Sequence, residues 1–69
     1  SGCGEGEIKS DLEALNIGIE AEQKSIELLS RLIDDEKKMD VRAIFSHLLV
    51  EERKHLQMLE ELKQTLKKG

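Results

Sequence analysis

The chain has 69 residues, of which 38% are charged and one, Phe45, is aromatic. The net charge of −4 argues against nucleic-acid binding, which usually needs a basic surface, and no apolar run is long enough to span a membrane. The single cysteine, Cys3, excludes an intrachain disulfide, so we expect a reducing, cytoplasmic setting. A domain of this size buries only about 60% of its unfolded surface and is marginally stable alone.

The composition predicts an all-α protein, because it is rich in Leu, Ile, Glu and Lys and contains no proline. The glycine-rich residues 1–7 predict a flexible N-terminal tail. The remaining residues, 8–69, predict a helical hairpin with helices at about 10–36 and 40–67.

Local signals place the predicted helix ends. Ser10 and Glu13 have the spacing of a capping box, which would start the first helix. The apolar rhythm stops around Lys37 and Lys38, and Asp40 is a suitable cap for a second helix. Two long helices joined by so short a turn should lie antiparallel.

Each predicted helix carries one stripe with alternating steps of four and three residues, the spacing of a face that packs against other helices. The first stripe comprises Ile8, Leu12, Leu15, Ile19, Glu22, Ile26, Leu29 and Ile33. The second comprises Val41, Phe45, Leu48, Glu52, His55, Leu59, Leu62 and Leu66.

Further apolar residues beside the stripes make the apolar arc wider than one hairpin can cover. They are Ile17, Leu28, Leu32, Ile44, Leu49 and Leu56. The simplest way to cover them is a second hairpin, which predicts a homodimer that forms a four-helix bundle. A higher oligomer is compatible with the same pattern.

Only Glu22, Glu52 and His55 interrupt the two stripes, and in a hairpin they lie at the same height. Glu52 and His55 are three residues apart and therefore project from one face of the second helix. Two carboxylates and an imidazole are costly to bury unless something neutralises them, so we predict that these residues bind metal. Glu51 is an alternative carboxylate or a partner of the ligands.

One hairpin offers three ligands, whereas a symmetric dimer offers four carboxylates and two imidazoles. With neutral histidines that set carries four negative charges, which two divalent cations would balance. Mixed oxygen and nitrogen donors suit iron, and also manganese or zinc. The prediction is therefore two iron ions per dimer, with manganese or zinc as alternatives.

The pair Ala21-Glu22 and the segment Glu51-Glu52-Arg53-Lys54-His55 resemble the half-site of ferritin-like di-iron carboxylate proteins. Within that superfamily the similarity is to rubrerythrin-type domains and to encapsulated ferritins, whose two-helix protomers complete the metal site by dimerisation. The resemblance implies a ferritin-like bundle and oxygen or peroxide as substrate. It implies ferroxidase or rubrerythrin-like oxidoreductase activity, without deciding whether the chain is an enzyme.

The chain also departs from that pattern. It has no tyrosine near the predicted metal site, where Leu29 stands, and no Cys-x-x-Cys pair for a rubredoxin-type centre. These departures weaken the case for peroxidase activity more than the case for metal binding. The alternative is a metal-free helical dimerisation module, in which the buried Glu and His side chains set the register of the helices.

Overall fold

The computed structural model describes residues 3–68 of the chain, with side chains described from residue 6 onward. Helix α1 spans Cys3–Asp35 and helix α2 spans Met39–Lys68. The two helices pack against each other as an antiparallel hairpin measuring 57 × 14 × 12 Å. This confirms the all-α class and the hairpin. Neither described helix combines the length and apolar character needed to cross a membrane.

Helix α1 begins seven residues before the predicted start at Ser10. Residues 3–7 of the predicted tail are therefore helical, while Ser1 and Gly2 lie outside the described residues. Ser10 is inside the helix, so the capping box does not mark its beginning. The physical reason is that helix extension adds one backbone hydrogen bond per residue, and no proline opposes it.

The turn occupies residues 36–38, as the loss of apolar rhythm predicted. The Glu36 N–H donates to the carbonyl of Leu32 at 3.0 Å, and Glu36 Oε1 accepts from the Lys38 N–H at 2.9 Å. Helix α2 starts at Met39, with Asp40 in its first turn. The Asp40 carboxylate accepts a 2.9 Å hydrogen bond from the Val41 N–H, which offsets one of the unpaired amides at this helix end.

The contact between the helices is narrower than the predicted stripes. On α1 the half-buried residues include Leu12, Leu15, Ile19, Glu22, Ile26, Leu29 and Ile33. On α2 they include Val41, Phe45, Leu49, Glu52, Leu56, Leu59 and Leu66. We call these fourteen residues the seam.

Leu48, His55 and Leu62 were predicted on the stripe of α2, but all three are exposed. Leu49 and Leu56, which were assigned to the flank, are half-buried instead. The reason is that each helix has a single neighbour in the hairpin. That neighbour covers one part of the apolar arc of α2 and leaves the other edge open.

The hairpin alone does not form a closed core. Among the described residues none is buried, and Ile17, Ile44 and Met58 are each at least 60% exposed. The accessible surface is 5434 Å², about 1,000 Å² more than the ~4,400 Å² expected for a compact protein of this mass. The Cα radius of gyration, 16.2 Å, likewise exceeds the ~11 Å of a compact chain of this length.

Candidate metal centre

The three residues that interrupt the predicted stripes are brought together in the hairpin. Glu22 lies near the middle of α1, while Glu52 and His55 lie one turn apart on α2. The antiparallel packing sets them at the same height because residues 36–38 turn the chain back on itself. The prediction that these three side chains are neighbours is confirmed.

One potential ligand atom from each of Glu22, Glu52 and His55 lies within 4.8 Å of the other two. His55 Nδ1 is 3.9 Å from Glu52 Oε1. Donor atoms bound to one ion at about 2.1 Å lie about 3–4 Å from one another, so small side-chain rotations would bring these three onto a single ion. The site is therefore close to, but not already in, a ligating geometry.

The burial of the cluster is graded from one side to the other. Glu22 and Glu52 are half-buried in the seam, and the Glu52 side chain is 26% exposed. The His55 side chain is 53% exposed at the edge of the hairpin. The cluster thus has a covered side formed by the carboxylates and an open side formed by the imidazole.

Glu22 is the least satisfied side chain of the cluster. Its Oε2 atom is inaccessible to solvent and has no hydrogen-bond partner among the described residues. A buried, unpartnered carboxylate oxygen costs free energy in the absence of a cation or a proton. This oxygen is the structural observation that distinguishes the cluster from an ordinary group of surface acids.

The same surroundings raise the pKa of Glu22 above its ordinary value. The largest cause is the neighbouring Glu52 carboxyl group, because the two groups can share a hydrogen bond only when one of them carries a proton. Desolvation and repulsion from the Glu52 charge act in the same direction, whereas the His55 charge opposes them. These causes therefore shift the protonation equilibrium of Glu22 towards its uncharged form, relative to a free glutamate, when no cation is present.

No Lys or Arg side chain among the described residues forms an ion pair with Glu22 or Glu52. Two lysines close in sequence pair with other carboxylates: Lys24 Nζ lies 3.3 Å from Glu20 Oε1, and Lys54 Nζ lies 3.4 Å from Glu51 Oε1. The polar cluster consequently has no positive charge of its own beyond a protonated His55.

The structure does not bring Glu51 into the cluster of this hairpin. Glu51 is half-buried beside it, and its carboxylate pairs with Lys54 of the same helix. Its predicted role as an alternative ligand or as a partner of the ligands stays a prediction.

The donor set fits a divalent metal. Two carboxylates and an imidazole are hard or borderline ligands, which suit iron, manganese and zinc. An ion held by these three residues would offset the repulsion between the two carboxylates. The arrangement could therefore hold one cation per hairpin.

Sequence spacing located all three residues of the cluster, but it did not show which of them lacks a partner. The isolation of Glu22 Oε2 depends on how the two helices close over it, and no residue pattern reports that. Comparison of the chain with protein-family models, curated proteins and solved structures found no match.

Proposed function

We propose that this protein binds divalent metal through Glu22, Glu52 and His55, and that a homodimer completes a di-iron carboxylate site of the ferritin-like kind. The observation that carries the proposal is the Glu22 Oε2 atom, which is inaccessible to solvent, has no partner among the described residues and belongs to one of the three clustered residues. A divalent cation would offset the charge of the two carboxylates together.

The homodimer is supported by the surface that the hairpin leaves uncovered. The exposed apolar residues and the surface excess of about 1,000 Å² match the ~800 Å² per partner of a standard interface. A four-helix bundle made from two hairpins would cover that surface. A two-fold axis near the cluster would bring two copies of each ligand together, and two divalent cations would balance their charge.

In such a site the residues of this chain have separate tasks. Glu22 and Glu52 would hold the cations through carboxylate oxygens, and His55 would supply a nitrogen ligand. The apolar seam residues Ile19 and Ile26 limit the access of water to the carboxylates. Bound iron would supply one-electron redox chemistry towards oxygen or peroxide, which makes iron oxidation or peroxide reduction the proposed activity.

Metal titration of the purified full chain tests the proposal. We expect Mn²⁺, Zn²⁺ and anaerobic Fe²⁺ to bind at one ion per chain, as measured by calorimetry and elemental analysis. Glu52→Ala should abolish this binding. Glu60→Ala is the matched control, because Glu60 is an exposed glutamate on the same helix. Equal binding by both variants, or none by the natural chain, would contradict the proposal.

The oxidoreductase part has its own test. Aerobic addition of Fe²⁺ to the chain should accelerate iron oxidation and oxygen consumption relative to Glu22→Gln, which retains the size of the side chain but removes its charge. If metal binds but the two proteins oxidise iron at the same rate, the proposed metal site is kept and the proposed redox activity is rejected.

The second candidate is a metal-free dimerisation module, favoured by the 3.9 Å approach of His55 Nδ1 to Glu52 Oε1. A protonated His55 between carboxylates would set the helix register without an ion. Glu52→Leu separates the candidates. If the cluster binds metal, this variant dimerises but binds no metal; if the cluster sets the register, the variant loses a defined dimer.

A further inference from the structure

A third carboxylate beside the candidate metal centre is held by a cation of the chain itself. Glu51 directly precedes Glu52 in α2, and the Lys54 ammonium group donates to Glu51 Oε1 at 3.4 Å. Both side chains of this pair are at least 40% exposed. The pair therefore lies at the surface, next to the three side chains that could hold an ion.

The position of Glu51 on the helix places it within reach of the centre. Glu51 and His55 are four residues apart, so they are neighbours on one face of α2, with Cβ atoms about 5–6 Å apart. At about 100° per residue, Glu51 lies about 100° around the helix from Glu52, and His55 lies about 60° around in the same direction. His55 thus stands between the two carboxylates, and an ion bound to it could be approached by either.

The burial of neighbouring residues agrees with this placement. Glu51 is half-buried, whereas Arg53 and Lys54, which follow it on α2, are exposed. Glu51 therefore lies on the edge of α2 that α1 partly covers, and its contact with Lys54 leads away from the centre.

Lys54 and a metal ion compete for the Glu51 carboxylate. The ammonium group and a divalent cation attract the same oxygens, and the positive charge of Lys54 also repels a cation nearby. With Glu51 paired to Lys54, only Glu22, Glu52 and His55 have ligand atoms close together. The ion pair therefore corresponds to a centre with three protein ligands.

The ligand sets with and without Glu51 suit different ions. Zn²⁺ is satisfied by three protein ligands and a water molecule in a tetrahedral arrangement. Mn²⁺ favours six-coordinate geometry and oxygen ligands, so a further carboxylate benefits Mn²⁺ more than Zn²⁺. Whether Glu51 is released or held should therefore change the choice between the two ions.

From these relations we infer that Lys54 sets the metal selectivity of the centre. By pairing with Glu51, Lys54 limits the ligand set to two carboxylates and one imidazole, which lowers the preference for Mn²⁺ relative to Zn²⁺. Lys54 acts through Glu51 and is a positioning residue, not a ligand. The inference rests on the proposed metal binding and adds the residue that controls which ion is bound.

The strength of the ion pair limits the size of the effect. Removing Lys54 can favour the Glu51-bound state by no more than the strength of the pair that is broken. For exposed pairs this corresponds to a factor of about five at most. We therefore expect a change in selectivity of severalfold.

Metal titrations of the full chain test the inference. The dissociation constants of Mn²⁺ and Zn²⁺ are measured by calorimetry for the natural chain and for Lys54→Met, which keeps an unbranched stem without the charge. We expect the Mn²⁺ constant to fall about threefold relative to the Zn²⁺ constant. This ratio is the readout, because the loss of one positive charge or a looser helix affects both divalent ions alike. Lys54→Gln, which is uncharged but polar, should give the same shift.

Lys24→Met is the matched control. Lys24 lies two residues from Glu22, as Lys54 lies two residues from Glu52, and it pairs with Glu20 at 3.3 Å. Its removal takes away the same charge without releasing a carboxylate next to the centre. The ratio of the two dissociation constants should therefore match that of the natural chain.

Two further variants connect the effect to Glu51. Lys54→Arg keeps a cation beside Glu51 and should retain the natural ratio. Combining Lys54→Met with Glu51→Gln should cancel the shift, because the carboxylate that Lys54→Met releases is then missing.

The outcomes for selectivity and for the metal site are separable. An unchanged ratio in Lys54→Met, or an equal shift in Lys24→Met, overturns the inference and keeps the proposed metal site. A shift that persists in the variant lacking both Lys54 and Glu51 also overturns it, since Glu51 is then not the ligand released. A natural chain that binds neither ion rejects the metal site and the inference together.

Discussion

The carboxylates Glu22 and Glu52, with His55 at their exposed edge, follow the same helical repeat as the apolar layers of the seam, yet this polar layer and the apolar layers affect helix pairing in opposite ways. Apolar layers such as Leu15 and Leu59 gain free energy when the helices pair, because apolar surface leaves water. The polar layer loses free energy on closure, because it desolvates two carboxylates and leaves Glu22 Oε2 without a partner. The comparison teaches that this layer opposes the pairing of the helices where its neighbours favour it, as expected if the proposed metal binding is its role.

The largest expected effect is the stabilisation of the folded chain by metal, which should depend on the polar layer and not on the apolar layers. Mn²⁺ at about 1,000 times its dissociation constant should stabilise the natural chain by about 4 kcal/mol, because only the folded state holds the ligands together. Glu52→Leu should lose this stabilisation entirely and be at least as stable as the natural chain without metal, since it removes a repelling charge. Urea denaturation with and without Mn²⁺ measures both values. Stabilisation of the Glu52→Leu variant by Mn²⁺ would contradict the assignment of metal binding to the polar layer.

An apolar layer should show the reverse behaviour. Leu59→Ala should cost about 2 kcal/mol with or without metal, the low end for leucine truncation because Leu59 is only half-buried. Val50→Ala is the control, since Val50 is 48% exposed and lies outside the seam; its change should stay within about 0.5 kcal/mol. The measurement is denaturation at fixed protein concentration, because dimer stability depends on concentration. A metal-dependent cost for Leu59→Ala would contradict the distinction.

The polar layer should also give the metal-free protein a distinctive pH dependence. Because the pKa of Glu22 is raised in the folded state, folding favours its protonated form. This contribution is complete below the unfolded value of 4.5 and is lost as the pH rises through the folded value. In EDTA, the stability contributed by Glu22 should therefore increase as the pH falls through the raised folded value towards 4.5, whereas metal affinity should decrease because ligands must be deprotonated. Glu22→Gln should remove this part of the dependence, and an unchanged slope would show that another group is responsible.

The smallest expected effect concerns the free-energy cost of placing a glycine, Gly18, in the interior of helix α1. A Cβ at residue 18 would lie 3.4 Å from Leu59 Cδ1, an ordinary van der Waals contact. Gly18→Ala should therefore stabilise the protein by about 0.5–1 kcal/mol through helix propensity. Gly6→Ala is the comparison, because nothing lies within 4 Å of its Cβ position. Thermal denaturation that shows destabilisation by Gly18→Ala would mean that Leu59, or a helix of the partner subunit, packs more tightly against this glycine.

Much of the fold follows from local properties of the chain. The absence of proline and the repeating apolar spacing predict two helices, and the polar stretch between them predicts the turn to within a few residues. The start of α1 is predicted less well. Glycines at positions 4 and 6 suggest a tail, but propagation of an existing helix offsets their intrinsic cost.

The candidate site was likewise predicted only in part from the sequence. Spacing brings Glu52 and His55 onto one face, and equal distance from the turn brings Glu22 level with them. What spacing did not reveal is their unequal burial, with the Glu52 side chain 26% exposed and the His55 side chain 53% exposed. That difference arises because α1 covers one edge of the apolar arc of α2 and leaves the other open.

The sequence by itself determined the two helices, their turn and the height of the polar layer, because these depend on contacts and spacings that are local along the chain. Only the tertiary structure decided which edge of each apolar arc meets the other helix. It thereby decided that Leu49 and Leu56 are covered, that Leu48, His55 and Leu62 face outward, and that Glu22 Oε2 is sealed without a partner. The physical reason is that helical periodicity specifies a broad face, whereas the closing of one helix on another selects a narrow line within it.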